Sequence, residues 1–394
     1  MDLKSKIAEE WLSKPRQVCG IMTGTSLDGI DIALAEFSIF NRKSKMKLMS
    51  HYFKPFPEEL RELIYRVISE PVRIFDVSTL HFAIAHFYAI ALNEFLGHDE
   101  KTMNKIEAVG IHGQTVWHDP QGRMIAGINV TSTLQLGSAS VLANLINKPV
   151  VADFRSADIA LGGQGAPLVP IFDYEFIADE KENTIALNIG GIANVTLLPA
   201  GCTKEKVVAF DTGPGNVFID MSVKQFFNKP YDKDGEIASK GKVIENLLEK
   251  LKQISFIRQS PPKSTGRELF SESFFNELSK PFIKAVEHPE NFVRTFTEFT
   301  ASSIAENIKL FGIPNSKIVV SGGGSKNKFL IETLSQKLPQ AKLATSDDFG
   351  IPSDSKEALC FAYLAYRTLG GLPGNLPSVT GASREAVLGV VAFQ

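Results

Sequence analysis

Twice in this chain an apolar run breaks on a glycine-bearing turn and then resumes. Residues 17–22 give way at Thr23-Gly24-Thr25-Ser26-Leu27-Asp28-Gly29, and a strand-like pattern returns over 30–37. Residues 184–189 break at Gly190-Gly191 and continue over 192–198. Small, turn-forming residues between two apolar runs predict hairpins. Two such hairpins predict two related halves, a duplication of pattern rather than of identity. The expected domains are 1–180 and 181–394, with room for the last helix to pack back toward a cleft between them.

The intervening chain alternates between the two regular periods. Strands are predicted over 108–112, 149–152, 207–210 and 317–320, and helices over 57–68, 77–96, 138–145, 217–227, 241–251, 290–310, 328–338 and 355–369. In the second of these helices Leu80, Ile84, Phe87 and Ala91 recur at spacings of three and four. Strands alternating with helices predict an α/β fold, and 394 residues exceed one ordinary domain.

Composition narrows the function classes. Apolar residues make up 44% of the chain, and 42 basic residues against 44 acidic ones leave a net charge of −2. No basic stripe stands out, so nucleic acid is not an expected partner. Cys19, Cys202 and Cys360 are odd in number and far apart, which fits a reducing compartment and predicts three buried small hydrophobes. The N-terminal stretch is charged throughout, and no run reaches the roughly 18 apolar residues of a spanning helix. A cytoplasmic enzyme with no membrane partner is the expectation.

Three glycine-rich turns follow apolar strands: 24–31, 190–191 and 322–324. Glycine lets successive backbone N–H groups approach a phosphate, although such turns also simply connect strands. Asp28 or Asp31 could hold Mg²⁺ through water, or bond their own backbone in an Asx-type turn. The chain contains no GxxxxGK[ST] sequence, which disfavours a P-loop enzyme. No GxGxxG leading into a helix and no HExxH are present either.

Asp211 directly follows the strand predicted over 207–210 and faces a Gly-Pro-Gly segment, where it could act as a general base or cap the next helix. Glu357 lies in the first turn of the last helix, a place the helix dipole alone favours. His112 beside Gly113 could touch substrate or be satisfied by its own backbone. Lys263 and Arg267 read by default as a solvated basic loop.

Taken together, these segments resemble the anhydro-N-acetylmuramic acid kinase family. The matching stretches are GTSLDGID at 24–31, HGQT at 112–115, VADFR at 151–155, GGQGAPLVP at 162–170, NIGGIAN at 188–194, FDTGPGN at 210–216, PPKSTGRE at 261–268 and SGGG at 321–324. Eight segments in order make the resemblance specific, while 40–47 and 233–259 carry no assignable motif, and Thr23 and Thr212 stand where relatives can differ.

The resemblance implies a two-domain actin/hexokinase-like fold with ATP in the interdomain cleft. It also implies phosphorylation of O6 of 1,6-anhydro-N-acetylmuramic acid while water opens the anhydro ring. By match, Gly24, Thr25, Ser26, Leu27, Asp28, Gly29, Ile30 and Asp31 would hold phosphates with Gly190 and Gly191. Gly322, Gly323 and Gly324 would lie near adenosine. Asp211 maps onto the general base and Glu357 onto a carboxylate assisting at the sugar. Gln114, Thr115, Arg155, Gly163 and Gln164 are the expected sugar-orienting residues. Mg²⁺ accompanies ATP, the partner is a small amino sugar, and a symmetric dimer is the default assembly. The rival readings are a kinase of an unbridged amino sugar and an actin-like protein that switches polymers with ATP.

Overall fold

The computed structural model describes residues 3–24, 27–266, 269–283 and 287–394. Thr25, Ser26 and Arg267 therefore lie outside the described residues. The chain divides into two units, Met1–Phe176 with Ser355–Gln394, and Ile177–Asp354. The expected division is at 180/181; here it falls at 176/177, and the last 40 residues group with the first unit and not with the second.

The first unit is built on β1 (Arg16–Thr23), β2 (Gly29–Phe40), β3 (Lys43–Pro55), β4 (Ala108–Ile111), β7 (Val150–Ala152) and β13 (Val390–Ala392), in the sheet order β13-β7-β4-β1-β2-β3. The β1–β2 and β2–β3 pairs are antiparallel, whereas β1–β4 and β4–β7 are parallel. One sheet face receives helices Glu58–Ser69, Ile74–Phe95 and Ala139–Ile146, burying Ile21, Ile32, Ile64, Ile84, Tyr88, Leu92 and Leu142 together. Helix Ile74–Phe95 is long and apolar enough, by length and composition, to cross a bilayer. The sequence predicts a helix here over 77–96 but no run of spanning length; Leu80, Ile84, Tyr88 and Leu92 on it are buried in this core.

The second unit repeats the plan. Its strands are β8 (Thr184–Ile189), β9 (Ile192–Leu198), β10 (Val208–Pro214), β11 (Lys317–Ser321) and β12 (Lys342–Thr345), ordered β10-β9-β8-β11-β12. Here β8–β9 and β9–β10 are antiparallel, and β8–β11 and β11–β12 parallel. Matched strand for strand, this is β3-β2-β1-β4-β7 again. The architecture is α/β, with one sheet plan used in both units. Helix Glu290–Phe311 and helix Val217–Phe227 cover the sheet with Phe218, Phe296, Phe299 and Ile304 in the core.

Three local expectations are corrected. The strand expected over 207–210 runs on to Pro214, so Asp211 lies inside β10 and not beyond its end. The helix expected from 241 begins at Glu245. Its would-be first turn is extended because Lys242 N donates to Asn291 Oδ1 (2.7 Å) and Ile244 N to Thr295 Oγ1 (2.9 Å), partners on a neighbouring helix. Cys19 and Cys360 are buried, but Cys202 is only half-buried. The sequence also concealed a further hairpin, β5 (Gln114–Ile125) with β6 (Ile128–Leu136). Neither strand has a consistently buried face, so no alternating pattern is written into it.

Candidate active-site residues

In the first unit, the described phosphate candidates of the β1–β2 link, Gly24 and Leu27 to Asp31, are buttressed by neighbouring segments. Leu27 takes a left-handed conformation, φ 59°, and its side chain is buried in the core. Ile30 is fully buried as well. Both therefore offer a ligand only their backbone. Asp28 O accepts from Phe56 N (3.0 Å), Gly24 O accepts from Gln114 Nε2 (3.4 Å), and Asp31 lies in β2 opposite Met22 and Phe53. A Cβ on Gly29 would come within 2.3 Å of Lys54 O, so only glycine lets β3 pass there. Gln114 has no exposed surface and braces the turn. Thr115 Oγ1 accepts from Gln135 Nε2 (3.3 Å) across the β5–β6 hairpin.

A second group forms around Arg155. Its Nε and Nη2 donate to His112 Nε2 (3.2 and 2.8 Å), and its Nη1 donates to Gly165 O (2.8 Å). An acceptor at Nε2 assigns the imidazole proton to Nδ1. Burial, and then the Arg155 charge, hold His112 well below the ordinary histidine pKa, so it is neutral. The side chain of His112 is thus held by Arg155 and not, as one of the two readings has it, by its own backbone, and its buried Nδ1 has no hydrogen-bond partner among the described residues. Burial also lowers Arg155 to about 10, a fall that the Glu357 charge opposes.

Glu357 lies in the first turn of helix Lys356–Leu369. Desolvation raises its carboxyl above the ordinary value, with Lys356 and Arg155 pulling it back. The side chain still reaches solvent, which limits that rise. Beside it, Lys356 Nζ and Asp173 Oδ1 form a buried ion pair at 2.7 Å.

The glycine loop over 162–165 is tied down by a residue that sequence reasoning missed. Asp158 is fully buried; its Oδ2 accepts from Gly165 N (2.8 Å), and its Oδ1 from Asn375 Nδ2 and Thr380 Oγ1 (2.7 Å each). Gly163 N donates to Asp158 O (3.0 Å), and Gln164 N donates to Thr380 O (2.9 Å). A Cβ on Gly163 would stand 2.1 Å from Asp158 Oδ2. Nothing in local periodicity marks Asp158, because two of its partners are more than 200 residues away.

In the second unit, two of the three glycine turns meet. Gly215 N donates to Gly191 O and Asn216 N to Gly190 O, both at 2.8 Å, while Asn216 Nδ2 reaches Ile189 O (3.3 Å). Gly322 and Gly324 come against the same strand end. Their Cβ atoms would meet Asn188 Oδ1 at 2.5 Å and Ile189 Cγ2 at 2.3 Å. By contrast, the space a Cβ on Gly191 would occupy is open, and a Cβ on Gly323 would meet only Asn216 Nδ2, at 3.9 Å. Residues 190–191, 215–216 and 322–324 therefore form one backbone-lined surface, closed to a side chain at Gly215, Gly322 and Gly324 and open above Gly191 and Gly323. Such a surface fits a nucleotide phosphate chain.

Asp211 sits next to this surface, where the β9–β10 register shifts between Asp211 and Gly213. Such bulges re-aim side chains. Its Oδ2 accepts from Thr265 N (2.8 Å) and Ser264 Oγ (3.0 Å), and its backbone N donates to Lys263 O (3.1 Å). The helix-capping alternative for Asp211 is not realised in these bonds. Lys263, expected in a solvated loop, is only 8% exposed. Among the described residues, no group of three His, Cys, Asp or Glu is placed to hold a metal. Mg²⁺ in a phosphoryl-transfer site needs fewer protein ligands, since it keeps waters and substrate phosphates.

Comparison with known proteins agrees with the eight segments. Residues 16–394 match the family described as anhydro-N-acetylmuramic acid kinase. A protein of that name from Bacillus cereus is 40% identical over 382 residues, covering 95% of this chain and 99% of the relative. Another, from Bacillus thuringiensis subsp. konkukian, is 39% identical over 382 residues, covering 95% and 99%. Among solved structures, the activator of 2-hydroxyisocaproyl-CoA dehydratase from Clostridium difficile with bound ADPNP aligns with a TM-score of 0.44 at 11% identity, covering 90% of this chain and 95% of that one. A ROK family glucokinase from Streptomyces griseus in complex with glucose and AMPPNP aligns at 0.32 and 14%, covering 84% and 94%. Matched from residue 16 to its last residue, and at 40% identity across almost the whole of a relative, the chain belongs to the anhydro-N-acetylmuramic acid kinase family and is a kinase.

Proposed function

We propose that this kinase opens the 1,6-anhydro ring of anhydro-N-acetylmuramic acid with water and phosphorylates O6 with ATP, giving N-acetylmuramic acid 6-phosphate. The observation that carries the reading is the adjacency, within one unit, of a gripped carboxylate and a backbone-lined glycine surface. Asp211 and Gly215 stand four residues apart on one strand and its exit, and Gly215 bonds directly to Gly191.

In this reading Asp211 takes a proton from the water that attacks the anomeric carbon. The C1–O6 bond breaks as the new C1–OH forms, and O6 takes the γ-phosphoryl group from the β-phosphate oxygen. ATP supplies that phosphoryl group and Mg²⁺ offsets its charge. The protein's part is to orient the phosphates along Gly191 and Gly322 to Gly324, where backbone N–H groups suit a transition state with charge spread over phosphoryl oxygens, on a surface braced by the bonds from Gly190 N to Ile192 O and from Gly215 N to Gly191 O. Gly24 to Asp31 add phosphate contacts, and Asp28 or Asp31 holds the cation through water. Arg155, Glu357 and the loop carrying Gly163 and Gln164 orient the sugar. Gln114 acts on the site indirectly, through Gly24.

The test is to run the reaction in heavy-oxygen water and weigh the product. A sugar that gains one phosphate and one labelled oxygen supports coupled opening and transfer. Phosphate gained without label would retain a kinase but remove the hydrolytic role of Asp211. Turnover of the unbridged amino sugar with none of the anhydro sugar would favour that rival substrate.

A further inference from the structure

The proline-led loop over 261–265 is gripped at both ends of its function. Toward the outside, Thr265 N and Ser264 Oγ hold Asp211 Oδ2 at 2.8 and 3.0 Å, and Lys263 O accepts from the Asp211 backbone at 3.1 Å. Toward the inside, the Lys263 side chain turns away from solvent. Its Nζ donates to Ile257 O (2.9 Å) and Phe256 O (3.1 Å) and lies 4.9, 5.6 and 5.9 Å from the ring centres of Phe256, Phe311 and Phe210. Phe210 immediately precedes Asp211 in β10.

The same neighbourhood secures the strand from beneath. Asn307 Nδ2 donates both to Ile257 O (3.2 Å), the carbonyl that Lys263 uses, and to Thr212 O (3.1 Å). Ser303 Oγ also donates to Thr212 O (2.7 Å). The residue after Asp211 is thus fixed by the long helix, and Asp211 itself by the loop. Both supports converge on one backbone carbonyl.

We propose that Lys263 is a positioning residue for Asp211: its caged ammonium anchors the 261–265 loop, and that loop sets the orientation of the carboxylate. The catalytic part of the proposal rests on Asp211 acting as the base. A buried lysine is costly to keep charged unless its hydrogen bonds are met. Here two carbonyls meet them and three aromatic faces add cation–π attraction. A solvent-facing lysine would remove the loop's anchor to Phe256 O and Ile257 O and leave its contacts to Asp211 among the described residues. The carboxylate and its grip would then move together.

Lys263→Met keeps the apolar stem and removes the ammonium. The expected result is a fall in kcat of up to about 100-fold, the cost of a small misplacement of a reacting group, with KM for ATP and for the sugar nearly unchanged. In an Asp211→Asn background the same substitution should cost nothing further, because a residue acting through another is non-additive with it. Full kcat in folded Lys263→Met, or an equal loss in both backgrounds, overturns the proposal. Should Lys263→Met fail to fold, Lys263→Gln, which retains a donor for Ile257 O, enters the same cycle.

Carboxyl-carbon NMR, with Asp211 assigned by its loss in Asp211→Asn, reads the grip without reference to turnover. Lys263→Met and Lys263→Gln lose the same charge, but only the second keeps a donor for Ile257 O, so with two donors on the carboxylate favouring ionisation the Asp211 pKa should rise further in Lys263→Met than in Lys263→Gln. Equal shifts in the two variants overturn the positioning claim. If Asp211→Asn keeps near-normal turnover while the titration shifts, the base assignment fails and the mechanical link between Lys263 and Asp211 stands.

Discussion

Gly20 of β1 and Gly110 of β4 are paired in register on neighbouring parallel strands, and together they make a bare patch for the helix Lys356–Leu369. A Cβ on Gly20 would lie 1.9 Å from Ala358 O, and one on Gly110 would lie 2.2 Å from Phe361 O. The helix backbone therefore rests directly on the sheet. Beyond it, Tyr363 and Tyr366 pack around Phe37, and Arg367 pairs with Glu175 at 2.8 Å. This contact draws the C-terminal segment into the first unit and carries Glu357 with it.

Gly20→Ala should destabilise the fold by about 1–3 kcal/mol, the usual range for overpacking against atoms that cannot step aside. The obstacle here is helix backbone, not the end of a flexible side chain. Urea unfolding followed by far-UV circular dichroism gives the value, and a wild-type midpoint would show that the helix is free to lift off the sheet.

Asp211→Asn should fold normally and bind ATP, while turnover falls by about 10²–10⁴-fold, the contribution of a placed general base. The amide oxygen can still accept from Thr265 N and Ser264 Oγ, so the loop should stay in place. Steady-state kinetics with nucleotide binding measured separately distinguishes lost chemistry from lost affinity.

Lys263 makes stability depend on pH in a defined direction. Burial lowers it from 10.5 to about 8, with Asp211 and Glu306 acting in the opposite sense. Between those two values the unfolded chain binds the proton that the folded one has released, so this residue's contribution to stability rises with pH across the window. Below it, both states carry the charge and the folded state bears the full burial cost. Urea midpoints for wild type and Lys263→Met should draw apart in this way from pH about 8 to about 10.5. Parallel pH curves would assign the dependence to other groups.

Asp158→Ala should strip the glycine loop of its acceptor. Gly165 N, Asn375 Nδ2 and Thr380 Oγ1 would each lose a partner, and an unmet buried donor costs about 1–3 kcal/mol. The expected signature is a lower melting temperature with a raised KM for the sugar and an unchanged KM for ATP. Equal changes in both KM values would point to general loosening of the fold.

Much of the fold was legible because it is written locally. Both β-hairpins at the start of each sheet, the long helix at 290–311 and the glycine turns follow from runs of neighbouring residues, and the structure places them within a few positions of where the pattern predicts. The hairpin over 114–136 was illegible because its strands face solvent on both sides over much of their length. For the candidate site, the motifs nominate Asp211, Glu357, Arg155 and the glycines, and the structure corrects the reading of Lys263, which is buried. A lysine between Pro262 and Ser264 looks the same in sequence whether it points to water or into a cage, and the carbonyls and rings that decide it come from residues 210, 256, 257 and 311.

By itself, the sequence determined the family, the duplicated α/β plan and the residue types available for chemistry, since these depend on composition, short-range period and ordered motifs. Only the tertiary structure decided that Ser355–Gln394 joins the first unit, that Asp158 ties the glycine loop to Asn375 and Thr380, and that Lys263 is caged behind Asp211. Those outcomes rest on contacts between distant parts of the chain, set by close packing and by the need of each buried polar group for a partner. Local sequence pattern carries no record of where such a partner will be found.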